Sequence, residues 1–271
     1  YLPTKDAIQR LTDADLRLFL ADELANSAVE ISIVGDIDIE QTIAAVAATI
    51  GALPSRETTP RPYADARKVS FPDPGRETLY HKGGKDQAIL QIYWPTTDYS
   101  DVARSAQLDL LRSALDDRVR EAVREGLGTS YAPSVGNMES DVFPGYGYFS
   151  LGVDAKPGDI KRITMLVEQV IDHIITEGLS ADDVERARKP LLEGVRNAAK
   201  SNGHWLNRIS SAQSEPESLQ HLPLVVETWK KTDATELQKL AVQYLRGDRA
   251  FEIHILPIAN SEEATVDTSA P

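Results

Sequence analysis

One short segment constrains the fold of this chain more than any other feature. Residues 29–34 (Val-Glu-Ile-Ser-Ile-Val) alternate between apolar and polar, as a half-buried β-strand does. The rest of residues 1–54 predicts two helices, at 12–24 behind a Thr12–Asp15 capping box and at 39–50. A lone strand can neither satisfy its backbone groups nor close a core. We therefore expect it to pair with polypeptide outside 1–54.

An internal repeat links this region to the end of the chain. Thr12-Asp13-Ala14, a helix and the 29–34 segment are echoed about 220 positions later, with small gaps, by Thr232-Asp233-Ala234, a helix and Phe-Glu-Ile-His-Ile-Leu at 251–256. That distance is a plausible domain length, although two generic helix-strand units could also match by coincidence. The repeat predicts the C-terminal part of a preceding module at 1–54 and a complete module at 68–257. Residues 55–67 lack periodicity and contain two prolines, which predicts a linker, and the acidic, small-residue-rich residues 258–271 predict a flexible tail.

The 68–257 region alternates strand and helix patterns. Strands are predicted at 87–94, 131–135, 146–153 and 251–256, and helices at 101–125, 160–177 and 235–245, with a further helix opened by Ser180 and Asp183 and kinked at Pro190. We expect an α+β fold built of two-layer sandwich modules, with a mainly antiparallel sheet covered by helices on one face.

Composition excludes several classes of function. The chain has 29 Lys and Arg against 42 Asp and Glu, a formal charge of −13, and no basic stripe to neutralise a nucleic-acid backbone. No apolar run approaches the roughly 18 residues that a membrane span requires. The absence of cysteine excludes a disulfide scaffold, a zinc ribbon and a cysteine nucleophile. The chain begins at Tyr1 without a leader pattern, so we expect a processed start or a piece of a longer protein.

The five histidines do not form a metal motif. They are His81, His173, His204, His221 and His254, and the nearest two are 17 positions apart. No His-x-x-x-His or His-x-x-Glu-His can therefore place two imidazoles on one helix face. No Gly-x-Ser-x-Gly elbow and no phosphate-binding glycine loop is present.

The segment from Arg124 to Tyr131 is the most informative for chemistry. It joins a helix end, a glycine turn and the start of a predicted strand, so a guanidinium and a phenol come near one edge of the sheet. Such a pair is suited to holding a polar backbone by hydrogen bonds, since Arg offers several donors and a tyrosine hydroxyl can donate to a carbonyl oxygen that gains charge. Alternatively, Arg124 only complements the last helical turn and Tyr131 is a half-buried strand residue.

Three elements together resemble the pitrilysin/insulinase family of zinc metallopeptidases. They are Val-Gly-Asp-Ile-Asp at 34–38, Val-Arg-Glu-Gly-Leu-Gly-Thr-Ser-Tyr-Ala-Pro at 123–133, and Glu-Arg-Ala-Arg-Lys-Pro at 185–190. The resemblance is to the C-terminal half, the peptidase inactive domain, and it implies a processing-peptidase-like metallohydrolase fold. In that family two halves enclose a peptide, and His-x-x-Glu-His lies in the N-terminal half.

The resemblance implies a role for each matched residue. Arg124 and Tyr131 correspond to a pair that binds substrate, and Tyr131 is also the catalytic group that stabilises the tetrahedral intermediate. No metal is expected in this chain, and zinc is expected in the missing N-terminal half, either on the same polypeptide or in a separate subunit. The chain is then inactive alone, and its partners are that half and peptide substrates.

Other functions stay open from the sequence alone. The chain could be a catalytically inactive scaffold or peptide-binding subunit of the same family, or a binding module unrelated to proteolysis. By analogy with bacterial members that carry elements like Ala-Arg-Lys-Pro and Asn202-Gly203-His204-Trp205, the expected compartment is the periplasm.

Overall fold

A computed structural model describes residues 3–59, 61, 63–128 and 131–258. The chain divides into two units. The first comprises Tyr1–Ala64 and Val195–His221, and the second comprises Asp65–Gly194 and Leu222–Pro271. The predicted tail lies outside the described residues except for Ile258.

Helices and strands account for most of the described residues. In chain order the helices are α1 (Lys5–Arg10), α2 (Asp13–Asn26), α3 (Ile39–Ala48), α4 (Val102–Leu127), α5 (Ile160–Thr176), α6 (Ala181–Ala198), α7 (Asn202–Ile209), α8 (His221–Lys231) and α9 (Ala234–Tyr244). The strands are β1 (Gly75–His81), β2 (Ala88–Pro95), β3 (Ser134–Glu139), β4 (Gly147–Ala155) and β5 (Phe251–Pro257).

The second unit is built on one five-stranded sheet of order β1-β5-β2-β4-β3. β1 and β5 are parallel, and the other three pairs of neighbours are antiparallel. Alternate residues of β2 and β4 are buried, among them Leu90, Ile92, Phe149 and Leu151, so one face of the sheet forms the core. Helix α5 packs on β2, α4 packs on β3, and α9 packs on both helices. The predicted α+β fold, with helices on one face of a mainly antiparallel sheet, is confirmed.

Local sequence explains where the long helix α4 begins and ends. The Asp101 carboxylate accepts the Arg104 N–H at 3.0 Å and caps the first turn. At the other end Gly128 adopts a left-handed conformation with φ of 62°, and its N–H donates to the carbonyl of Arg124 at 3.0 Å. This C-terminal cap requires a positive φ that residues with a Cβ adopt only at a cost.

The structure differs from the predicted elements at several places. Residues 29–34 form no strand, since no described segment of the first unit pairs with them. β1 was not predicted, because Gly-Arg-Glu-Thr-Leu-Tyr-His lacks the alternation of a half-buried strand and lies at the exposed sheet edge. The predicted strand at 131–135 begins three residues later, at Ser134, so Tyr131 precedes the strand. Helix α6 runs on through Pro190.

A buried carboxylate fastens the start of α6 to α4. The Asp183 side chain is 3% exposed and accepts hydrogen bonds from the Ser180 N–H and hydroxyl at 3.0 and 2.7 Å. It also accepts from Arg118 of α4 at 2.9 Å and from Arg186 at 2.6 Å. Burial opposes ionisation, but these donors outweigh it and hold the pKa of Asp183 well below its usual range. The residue is therefore an anchor between two helices.

We expect Asp183→Asn to lower the free energy of unfolding by about 2–3 kcal/mol, because it leaves Arg118 and Arg186 without their shared anion. The depressed pKa in the folded state means that this stabilisation is present above the ordinary aspartate pKa and is lost as the pH falls below about 4. Urea denaturation at pH 7 and at pH 3 measures both effects. A variant that is as stable as the wild type at pH 7 contradicts the anchoring role.

A second carboxylate, the partly buried Glu139, lies at the end of β3, which packs on α4. Burial raises the pKa of Glu139 to about 7. The nearby Ser105 hydroxyl lowers this pKa, whereas the neighbouring Asp109 carboxylate raises it. Burial also raises the pKa of Asp109, which accepts from the Asn137 amide at 3.3 Å. Within the described residues, Glu139 Oε1 and Ser105 Oγ are buried without a hydrogen-bond partner. Near neutral pH this cluster therefore favours a protonated Glu139.

The raised pKa of Glu139 predicts that stability decreases with rising pH. The folded protein keeps a proton that the unfolded chain loses above about pH 4.5, so stability falls as the pH rises through 4.5 to about 7. We expect Glu139→Gln to stabilise the protein by roughly 1–2 kcal/mol at pH 8, after allowance for partial exposure, and to have little effect at pH 5. Denaturation at both pH values checks this, with the exposed Glu125→Gln as the control. An equal effect at both pH values contradicts it.

Candidate functional site

An open groove of about 570 Å³ lies at one end of the sheet of the second unit. The end of β1, the start of β2 and the ends of β4 and β5 meet there because β2 runs antiparallel to β4 and β5. Its apolar floor and polar rim consist of Ala88, Ile89, Ala155, Ile255, His81, Asp86, Gln87, Tyr131, Asp154 and Lys156. The predicted site residue Tyr131 is thus part of a groove wall.

The phenol of Tyr131 is held by two hydrogen bonds. It donates to the Asp159 carboxylate at 2.6 Å and accepts from the Lys156 backbone N–H at 3.2 Å. The bond to Asp159, with a smaller contribution from burial, raises the pKa of Tyr131, and the Lys156 N–H opposes this. The hydroxyl is therefore neutral at physiological pH, with one proton to donate.

Arg124 lies apart from this groove. It is exposed in the last turn of α4, and it is absent from the residues that line the groove. Within the described residues its guanidinium forms no hydrogen bond or ion pair, and none joins it to Tyr131. The structure thus leaves Arg124 open to a ligand without bringing it together with Tyr131. Thr129 and Ser130, between them, lie outside the described residues.

A turn after β1 forms part of the rim of the groove. Residues 82–87 follow β1, and His81 fastens them from within. Its Nδ1 accepts the Gly83 N–H at 2.9 Å, and its Nε2 lies 2.9 Å from the Gln87 carbonyl. Both ring nitrogens therefore contact backbone groups of the turn. A histidine before Lys-Gly-Gly was the available signal, and its role is to shape the turn.

Two arginines of the Glu-Arg-Ala-Arg-Lys-Pro motif form hydrogen bonds within the fold. Arg186 binds the Asp183 anchor. Arg188 donates to the Trp229 carbonyl at 2.6 Å and to the Thr232 carbonyl, at the end of α8. These bonds satisfy carbonyls that the helix leaves without partners. The motif therefore ties α6 to α4 and α8.

Neither a cluster of metal ligands nor a membrane-spanning helix is present in the described ranges. Over the described ranges, no three His, Asp or Glu side chains are grouped so that they could hold a metal ion. Nor does any helix in those ranges have the length and apolar character needed to cross a membrane.

Comparison with known proteins assigns the family. Residues 10–191 match the family model described as the peptidase M16 inactive domain. The chain belongs to this family. The resemblance that was predicted from the sequence is thereby confirmed, and the M16 inactive domain shown here carries Arg124 and Tyr131 within the matched range.

Curated relatives of this M16 inactive domain include peptidases that are much longer. The chloroplastic stromal processing peptidase of Arabidopsis thaliana is 24% identical over 166 residues, which cover 59% of this chain and 13% of that protein. An uncharacterized zinc protease of Streptomyces coelicolor is 26% identical over 220 residues, which cover 78% of this chain and 46% of that protein. The chain thus spans less than half the length of these relatives.

Solved structures share its fold. A peptidase M16 inactive domain from Pseudomonas fluorescens aligns with a TM-score of 0.74 and 18% identity, over 94% of this chain and 60% of that chain. The periplasmic protease PqqL from Escherichia coli aligns with a TM-score of 0.63 and 15% identity, over 83% of this chain and 25% of that chain.

Proposed function

We propose that this M16 inactive domain is the non-metal-binding C-terminal half of a zinc metalloendopeptidase that encloses and cleaves unfolded peptides. The observation that carries the proposal is the neutral Tyr131 phenol on the wall of an open groove, within a chain of this family. A neutral phenol can donate to a carbonyl oxygen as it gains negative charge. In this proposal Tyr131 is the catalytic residue of the chain.

Arg124 has a different role in the proposal. Its exposed guanidinium has five N–H donors and no partner within the described residues, so it can bind the carbonyl groups of an extended peptide before reaction. Such binding is the same in the ground state and the transition state. The two residues therefore affect different kinetic constants.

Zinc does not fit the residues described here, because no group of ligands is assembled among them. We place it in an N-terminal half, on the same polypeptide or in a separate subunit, and derive no step through it. The names of the relatives, a zinc protease and a stromal processing peptidase, support this assignment. The analogy with PqqL supports a periplasmic location.

The exposed surface of the first unit supports a preceding module. Helices α2 and α9 begin with the same capping box, Thr12 with Asp15 and Asp233 with Glu236. Aligned on these caps, which shifts the sequence repeat by one residue, four apolar positions correspond. At these positions the side chains of α9 are 0–8% exposed; they are Leu237, Leu240, Ala241 and the adjoining Leu245. Their counterparts in α2 are far more exposed, at 58–78% for Leu16, Phe19 and Leu24, and only Leu20 is partly buried.

With one further residue of shift, residues 29–34 correspond to 251–256 of β5, which has a parallel neighbour on one side and an antiparallel neighbour on the other. We infer that residues 1–54 end a module of the same fold, whose missing strands and helices cover residues 29–34 and α2. Residues 55–67 then link it to the complete module at 68–257.

This partner inference predicts protection of a defined segment. We expect backbone amides of residues 29–34 to exchange rapidly with deuterium in the isolated chain and to be protected when the preceding polypeptide is present. Hydrogen exchange of both forms measures this, and β5 is the internal control. Equal exchange of 29–34 in both forms would count against the preceding module.

Kinetics of the complete peptidase, with its zinc-bearing half, test the proposed function. We expect Tyr131→Phe to lower kcat and kcat/KM together by about 10²-fold, because the lost hydrogen bond exists only in the transition state. Unchanged kcat would argue for the peptide-binding or scaffold alternative instead.

Arg124→Ala is the paired variant. We expect it to raise KM with little change in kcat, since it removes binding common to substrate and transition state. Arg120→Ala, an exposed arginine one turn earlier that pairs with Asp116 at 2.6 Å, is the matched control and should leave KM unchanged. An unchanged kcat/KM in Arg124→Ala contradicts its role.

A further inference from the structure

The partner of Tyr131 is itself placed in an unusual way. Asp159 lies at the N-cap position of α5, yet its side chain forms no capping hydrogen bond to the helix. Instead the carboxylate accepts the Tyr131 hydroxyl at 2.6 Å. The bond is thus a short, charge-assisted O–H···O⁻ contact, stronger than one between neutral groups.

A phenol has a single proton, and this limits what Tyr131 can do at rest. While that proton is donated to Asp159 and the oxygen accepts from Lys156, only one lone pair of the oxygen faces outward. In this state Tyr131 can accept a hydrogen bond but cannot donate one to a carbonyl oxygen.

We propose that Asp159 is a positioning residue that holds the phenolic proton of Tyr131 at rest, and that the reacting carbonyl oxygen has to displace it. The inference rests on the proposed function of Tyr131. The exchange breaks one phenol–oxyanion hydrogen bond and forms another, with no net proton transfer. Its consequence is that Asp159 reduces the transition-state stabilisation that Tyr131 provides, in return for a defined position of the ring.

Other charged groups line the same groove and have to be distinguished from Asp159. They are Asp86, Asp154 and Lys156, all exposed, and His81 lines the groove with them. None of their side chains forms a hydrogen bond to the Tyr131 hydroxyl. Asp154 is therefore a matched control, a carboxylate of the same groove that does not contact the phenol.

Titration of the phenol tests the contact without any peptidase assay. In the 271-residue chain labelled with [¹³Cζ]tyrosine, Tyr131→Phe identifies the Tyr131 signal among the nine tyrosines. We expect Asp159→Asn to lower the pKa of Tyr131, and Asp159→Glu and Asp154→Asn to leave it high. An unchanged pKa in Asp159→Asn, in a variant with otherwise native spectra, overturns the inference.

Kinetics of the complete peptidase test the competition. We expect Asp159→Asn to raise kcat and kcat/KM together by about fivefold, the ratio expected when a neutral acceptor replaces a charged one. In a Tyr131→Phe background the same change should have no effect. A fall or no change in kcat/KM overturns the competition. If Tyr131→Phe itself leaves kcat unchanged, the proposed function fails, while the titration still decides whether Asp159 holds the proton.

Discussion

Every strand in this protein depends on neighbours that satisfy its backbone. β5 comes from the end of the second unit and lies between β1 and β2, so it is bonded on both sides and joins the edge strand to the rest of the sheet. Residues 29–34 have a similar sequence and a similar preceding helix but no neighbouring strand among the described residues, and they remain outside any sheet. The same local pattern thus has two outcomes, decided by whether partner strands are present.

The sheet also creates the groove. Because β2 is antiparallel to both β4 and β5, the ends of four strands converge at one end of the sheet, and the His81 turn and Tyr131 close around them. Tyr131 belongs to the loop that links the end of α4 to β3, and a strong hydrogen bond to the start of α5 positions it. The position of this phenol therefore depends on the positions of α4 and α5. The ion pair between Arg118 and Asp183 in turn holds α4 against α6.

Several arginines of the second unit form hydrogen bonds that stabilise its fold. Arg118, Arg186 and Arg188 look from the sequence like ordinary solvated residues, yet each binds a carboxylate or a helix carbonyl that needs a partner. Arg124 contrasts with them, since it has no partner within the described residues. This contrast is consistent with the ligand-binding role that we propose for Arg124, whereas the other three arginines stabilise the fold.

The sequence by itself determined the elements with strong local signals. The helical pattern and terminal glycine of α4, the alternation in β2 and β5, the capping box of α2, and the family to which the chain belongs were all readable, because periodicity, caps and motif spacing depend on residues close in sequence. Only the tertiary structure decided that β1 is a strand, that 29–34 is not, that Glu139 is partly buried, and that Tyr131 donates to Asp159. Each of these depends on groups brought together from distant positions, and no local pattern encodes such a neighbour.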